Sequence, residues 1–452
     1  MDVTAGCSSS APIAVTEVPD KVPGSSGHAS FQGNDVEPVY VITQCGHRLD
    51  LNSISRDFSR QLIGERKCTI CQKDPMPLVN EPGSKCYTDP YFPDPSFYSA
   101  CGCGCLPVVS TRLCQGVNVN IGIDGITALM FAAQSGQREV AELLMDCGAE
   151  VNAGKGVGFT ALMMASEHGH LQVARLLVDR GAEIDAAMAD GFTALMFACQ
   201  NGQWEIVRML IDLGADVNAA MADGSTALMY AARNGHTNIV GLLIEHGAVL
   251  NGAMDIALMA AATSGQWEVA RLLIAKGARA DAVMDSGATA LMFAAQNGHW
   301  QVVDLLIDNG AEVNAMMEDG FTALMLAAQN GQFEVAGVLL NRGADVNAGL
   351  DGGARAVMLA AQNGHLGILR QLIDSNAEVN AVMKNGTTAL ILASTTGHLK
   401  ITELLINHGA DVNACLDNGS NSIMVATRNG HSEVAELLVS AMAREGKKYQ
   451  SG

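Results

Sequence analysis

The sequence predicts an all-α solenoid of about ten helix-turn-helix repeats behind a small α/β zinc-binding unit. Three observations carry that prediction. The phrase DGFTALMFACQNGQ, residues 190–203, recurs with small changes along most of the chain. Each recurrence is followed by a second amphipathic segment and a glycine stop. Ahead of the repeats, Cys45-x-His47 and Cys68-x-x-Cys71 stand in the spacing of a tetrahedral metal site.

Residues 1–36 are rich in Ser, Gly, Pro and Val without a usable period, and are expected to be disordered. The opening MDVTAGCSSSAPIAV lacks a charged region followed by a long apolar run. The expected location is therefore intracellular, cytoplasmic or nuclear. No apolar stretch is long enough to span a bilayer, so no membrane partner is expected. The 452 residues carry a net charge of −20, which lacks the basic footprint that nucleic acid requires.

The head runs over 37–80. Three thiolates and one imidazole, from Cys45, His47, Cys68 and Cys71, suit one zinc ion. Between the two ligand pairs Ile54, Phe58 and Leu62 recur every four residues, which predicts a helix packed beneath the metal loops. The pattern resembles the second half of a RING finger, and more closely the single-zinc SP-RING and U-box variants. That resemblance implies that these four residues are the ligands. It also departs from the family. Asp50 and Ser53 stand where two further cysteines belong, Thr69 replaces a common Pro, and Gln72 follows Cys71 where a cation is usual.

Residues 81–104 read as a Cys- and Pro-rich linker. Cys86, Cys101, Cys103 and Cys105 read either as a second metal site or as a thiol-rich connection without metal.

The array is expected over 105–443. Aligned on the Thr of TAL, its units start at Thr127, Thr160, Thr193, Thr226, Ile256, Thr289, Thr322, Arg355, Thr388 and Asn421. Each step is 33 residues except the 30-residue step into Ile256. In each unit Asp-Gly marks a turn, Thr caps a short helix, and Asn-Gly stops it. A second helix such as WEIVRMLI follows and ends at Gly214. No unit buries its own apolar face, so neighbours must stack. Residues 110–120 read as a degenerate N-terminal cap, the helix from Ser432 to about Ala443 as the C-terminal one, and 444–452 as a flexible tail. The missing residues before Ile256 predict a short turn and a notch.

Met130, Met163, Met196, Met229, Met259, Met292, Met325, Met358 and Met424 share one register position, with Ile391 once in their place. They read as core between repeats. Met188, Met221, Met254, Met284, Met317 and Met383 fall in the turns and are candidates for partner contact. Trp204, Trp267 and Trp300 share the first position of the second helix with Phe333, and are further candidates.

The repeat resembles the ankyrin repeat, with its turn, two antiparallel helices and Ala-Asp-Val-Asn tail. In wording it is also similar to the Met-rich ankyrin families of diplomonad protists. It departs by reading Thr-Ala-Leu-Met where the family has Thr-Pro-Leu-His. The loop-bridging bonds of that His are therefore expected to be absent. The resemblance implies a scaffold that binds other proteins on a long concave surface. The alternative joins both parts: a substrate receptor of a ubiquitin- or SUMO-type ligase whose head recruits a conjugating enzyme. No catalytic constellation is visible, because His236, His299, His365, His398 and His431 recur as scaffold positions.

Overall fold

The computed structural model describes residues 40–44, 47–50, 53–54, 67–68, 70, 72–73, 76, 78–80 and 86–87, then 95–450 apart from 124, 155–157 and 249–251. The chain forms two compact units, one built on the head strands and the other on the repeats.

In the head, β1 (Tyr40–Ile42), β2 (Arg48–Asp50), β3 (Leu78–Asn80) and β4 (Cys86–Tyr87) form one antiparallel sheet in the order β2-β1-β3-β4. Thr43 closes the β1–β2 hairpin. Its N–H donates to the His47 carbonyl at 2.9 Å, and its hydroxyl accepts from the His47 N–H at 2.9 Å. Val41, Ile54, Cys68 and Leu78 are buried. Of the predicted helix, residues 53–54 are helical, whereas Phe58 and Leu62 lie outside the described residues.

The second unit holds twenty-two helices in eleven pairs among the described residues. They begin with α1 (Pro95–Cys103) and α2 (Leu106–Cys114) and end with α21 (Ser422–Arg428) and α22 (Ser432–Gln450). First helices stack on first helices and second helices on second helices. Most are seven to nine residues long, too short to be stable alone, so stacking supplies the stability. Ala and Leu of the TAL phrase are buried throughout, and the small Ala side chains allow close helix approach.

Two corrections concern boundaries. The expected linker 81–104 contains β4 and the whole of α1, and Phe97, Tyr98 and Cys101 of α1 are buried in the array core. The array thus starts at residue 95 rather than 105, with a complete helix pair in place of a half-unit cap. The tail is also helical as far as Gln450.

Candidate binding surface

Each turn forms a small finger. In five units a backbone bridge closes it, joining Ala187 to Thr193, Ala220 to Thr226, Val283 to Thr289, Gly349 to Arg355 and Cys415 to Asn421. Neighbouring fingers also touch, as where the Glu318 N–H donates to the Ser286 carbonyl at 3.0 Å. The Thr hydroxyl caps the following helix: Thr193 and Thr289 accept from the N–H of Met196 and Met292 at 3.3 Å.

The Met of TALM closes the same cap from the other side. Met130 and Met163 present their sulfur at 3.4 Å to the N–H of Thr127 and Thr160. A thioether is a weak acceptor, yet here it takes the place a Glu holds in a capping box. The stripe is core, as expected. Met130, Met163, Met196, Met259, Met292, Met325, Met358 and Ile391 are buried. Met229 is half-buried, ahead of the shortened unit. Met424 is 56% exposed, because no further unit stacks on the last one.

The finger methionines divide. Met188, Met221, Met317 and Met383 are half-buried against the array core. Met284 is exposed. Met254 is not in a turn. Among the described residues the shortened unit shows no bridged finger, and Ala253–Thr263 form an eleven-residue helix. There Asp255 accepts the Arg279 N–H at 2.7 Å and the guanidinium at 2.8 and 2.9 Å. In regular units Asn takes that N–H, as Asn152 does from Glu183 at 2.9 Å. In the shortened unit the Arg279 N–H goes to the Asp255 carboxylate.

Trp204, Trp267, Trp300 and Phe333 stand exposed at the N-termini of second helices, away from the fingers. Arg208 and Arg271 lie 5.5 Å over the rings of Trp204 and Trp267. Thr237 takes the same position between them and lines a shallow cavity of about 350 Å3 with Trp204 and Glu268.

The recurring histidines are structural. Nε2 of His170, His299 and His365 lies 2.9 to 3.1 Å from a carbonyl in the preceding unit. Gln203 and Gln332 hold the same position and donate to the equivalent carbonyl at 3.4 and 3.0 Å. A carbonyl only accepts, so the ring contributes an N–H, which glutamine supplies equally.

A second cavity of about 210 Å3 opens on the finger side between two adjacent units. Phe293, Met317, Phe321 and Leu326 line it, with Asp319 at its edge. In the sequence-adjacent fingers Val283, Met284 and Met316 are exposed apolar side chains. Sequence periodicity gives no account of this patch. Its signal is the replacement of Ala187 and Ala220 by Val283 and Met316 at one register position.

In the head, Cys68 Sγ lies 3.6 Å from His47 Nδ1. The backbone folds tightly after Cys68: its N–H donates to Lys73 and its carbonyl accepts from Gln72, both at 2.8 Å. Gln72 has a left-handed φ of 62°. Cys45 and Cys71 lie outside the described residues. Cys101 is buried in the array core and Cys103, two helix positions on, is exposed. Burial pushes the Cys101 thiol up to about 12. No group of three or more metal-ligating side chains occurs among the described residues. No helix of the described residues is long and apolar enough to cross a membrane.

A search of curated proteins gives no match. The family described as ankyrin repeats (3 copies) matches residues 78–155, 97–188, 153–221, 184–253, 214–284, 258–349 and 357–449. These overlapping spans cover the stacked helix pairs almost end to end, and the chain belongs to the ankyrin-repeat family.

Proposed function

We propose that this protein is a protein-binding scaffold whose partners dock on the face made by the fingers and first helices. The exposure of Val283, Met284 and Met316 on that face carries the reading, since large apolar side chains there are left uncovered by the chain itself. A photo-crosslinking residue at position 284 is the test, with Leu213 as an exposed control at the far end of a second helix. Adducts to protein at 284 and few at 213 are expected. Equal yields at both, or none at 284, would end the reading.

The head is read as a single-zinc structural unit held by Cys45, His47, Cys68 and Cys71. The separation of Cys68 and His47 supports this. Bonds of about 2.3 Å to sulfur and about 2.0–2.1 Å to nitrogen at a tetrahedral angle place the two atoms about 3.5–3.6 Å apart. Bound zinc would supply folding energy to a unit with little core of its own. One equivalent of zinc per chain is expected, lost in Cys68→Ser and kept in Cys103→Ser. The ligase alternative has only the ligand spacing behind it and is not carried forward.

A further inference from the structure

We infer that residues 280–341 form the centre of the docking face, and that their partner is an extended basic segment bearing one large apolar anchor. This rests on the scaffold reading above and adds a location and a partner chemistry to it.

Charge is the first argument. From 280 to 341 the sequence holds eight acidic residues and no Lys or Arg. The nearest arginines on either side are engaged: Arg279 with Asp255 at 2.8 Å, and Arg342 with Asp308 at 2.6 Å. The fingers in and next to this stretch end in exposed Asp285, Glu318, Asp319 and Asp351. A basic partner meets no like charge there, and a steered approach is favoured.

Shape is the second. The cavity between Phe293 and Phe321 measures about 210 Å3. A void of about 150 Å3 accepts a benzene ring, so this one has room for one aromatic or branched side chain. Val283 and Met316, in the two fingers whose residues line it, are exposed. The adjoining shortened unit shows no bridged finger among its described residues. The two fingers that frame the cavity are held in register, since a Cβ on Gly287 would come within 2.8 Å of the Met317 Cα.

Spacing is the third. Stacked helices lie about 8–10 Å apart, and an extended chain in the polyproline II conformation advances about 3.1 Å per residue and returns every third side chain to the same edge. Three residues of an extended segment thus span one unit. Basic residues three apart would meet successive fingertips at Asp285, Asp319 and Asp351, with the anchor between them.

The test uses the full-length protein and a display library of random twelve-residue peptides. Enriched peptides should be net positive, with Lys or Arg three apart around Leu, Ile, Met or Phe. Fluorescence anisotropy on a synthetic copy should show at least tenfold weaker binding to the double variant D285N/D319N. Val283→Ser with Met316→Ser should weaken it similarly, with circular dichroism unchanged in both. Neutral or acidic winners would overturn the inference. So would basic winners indifferent to these variants; if they are sensitive instead to D190N/D223N, the scaffold reading survives and this location does not. No enrichment at all would count against both.

Discussion

The Nε2 of His236 lies 3.1 Å from the carbonyl oxygen of Gln200, one unit back along the array. Gln203 and Gln266 make the matching bond from their own units at 3.4 and 3.3 Å. The position needs a donor of that reach, not a titrating group. His236→Gln should leave the denaturation midpoint within about 0.5 kcal/mol of the parent, while His236→Ala should cost about 1 kcal/mol. Loss of stability in the Gln variant comparable to the Ala variant would show that the imidazole itself matters.

The Met stripe makes a prediction about its ends. Met196 is fully buried, whereas Met424 is 56% exposed. Met196→Asp places an unpaired charge in the core and should cost several kcal/mol. Met424→Asp stands in the first turn of an exposed helix, where a carboxylate is favoured, and should change stability by less than about 1 kcal/mol. Urea titration of both variants gives the comparison; equal losses would mean that another element covers the last unit.

Asn120, Asn152, Asn314, Asn347 and Asn380, each at the end of a unit, bond the next unit twice. Asn152 accepts from the Glu183 N–H at 2.9 Å and donates to the Gly181 carbonyl at 3.0 Å. At Asp185 only the accepted bond, from the Asp216 N–H at 3.0 Å, is made. A carboxylate has no proton to donate to the next carbonyl. Asp185→Asn should therefore stabilise the array by about 0.5–1.5 kcal/mol, read as a rise in the midpoint. No gain would show that water already serves that carbonyl equally well.

Cys101 predicts an alkaline weakness. Burial raises its thiol from 9.0 to about 12. Between those values the unfolded chain releases the proton and the folded chain keeps it, so the unfolded state binds fewer protons and stability falls as pH rises. The loss is at most about 1.4 kcal/mol per pH unit for one group. Cys101→Ala should flatten the stability profile above pH 9 relative to the parent. Identical slopes in the two proteins would place the thiol in contact with solvent.

The array was legible because its period is long and its chemistry repeats. Thr127 and its equivalents announce a helix start in any register, and the buried face of Met196 follows from spacing alone. The sulfur bond from Met130 to the Thr127 N–H was not legible, since periodicity locates a side chain without saying where its atoms point. The first helix was missed because PSFYSACGC is poor in helix formers and rich in cysteine, which drew a metal reading instead. Its signal was the register itself. One 33-residue period before Thr127 lies Asp94 followed by Pro95, a cap residue and a first-turn proline. The finger patch was least legible, because the repeat period says that Val283 and Met316 sit in a finger without saying that their side chains stay exposed.

Between regular units the His and Asn bonds run at fixed offsets. Nε2 of His170, His236 and His365 reaches back 36 residues, and the amides of Asn152 and Asn380 reach forward 29. Each unit thus carries the plug for one neighbour and the socket for the other. A whole unit copied into the chain, or cut from it, rejoins with every connection remade, whereas a fractional change breaks those offsets. The molecule can therefore grow or shrink by recombination in quanta of one repeat, and its length is far freer to drift than any residue at a joint.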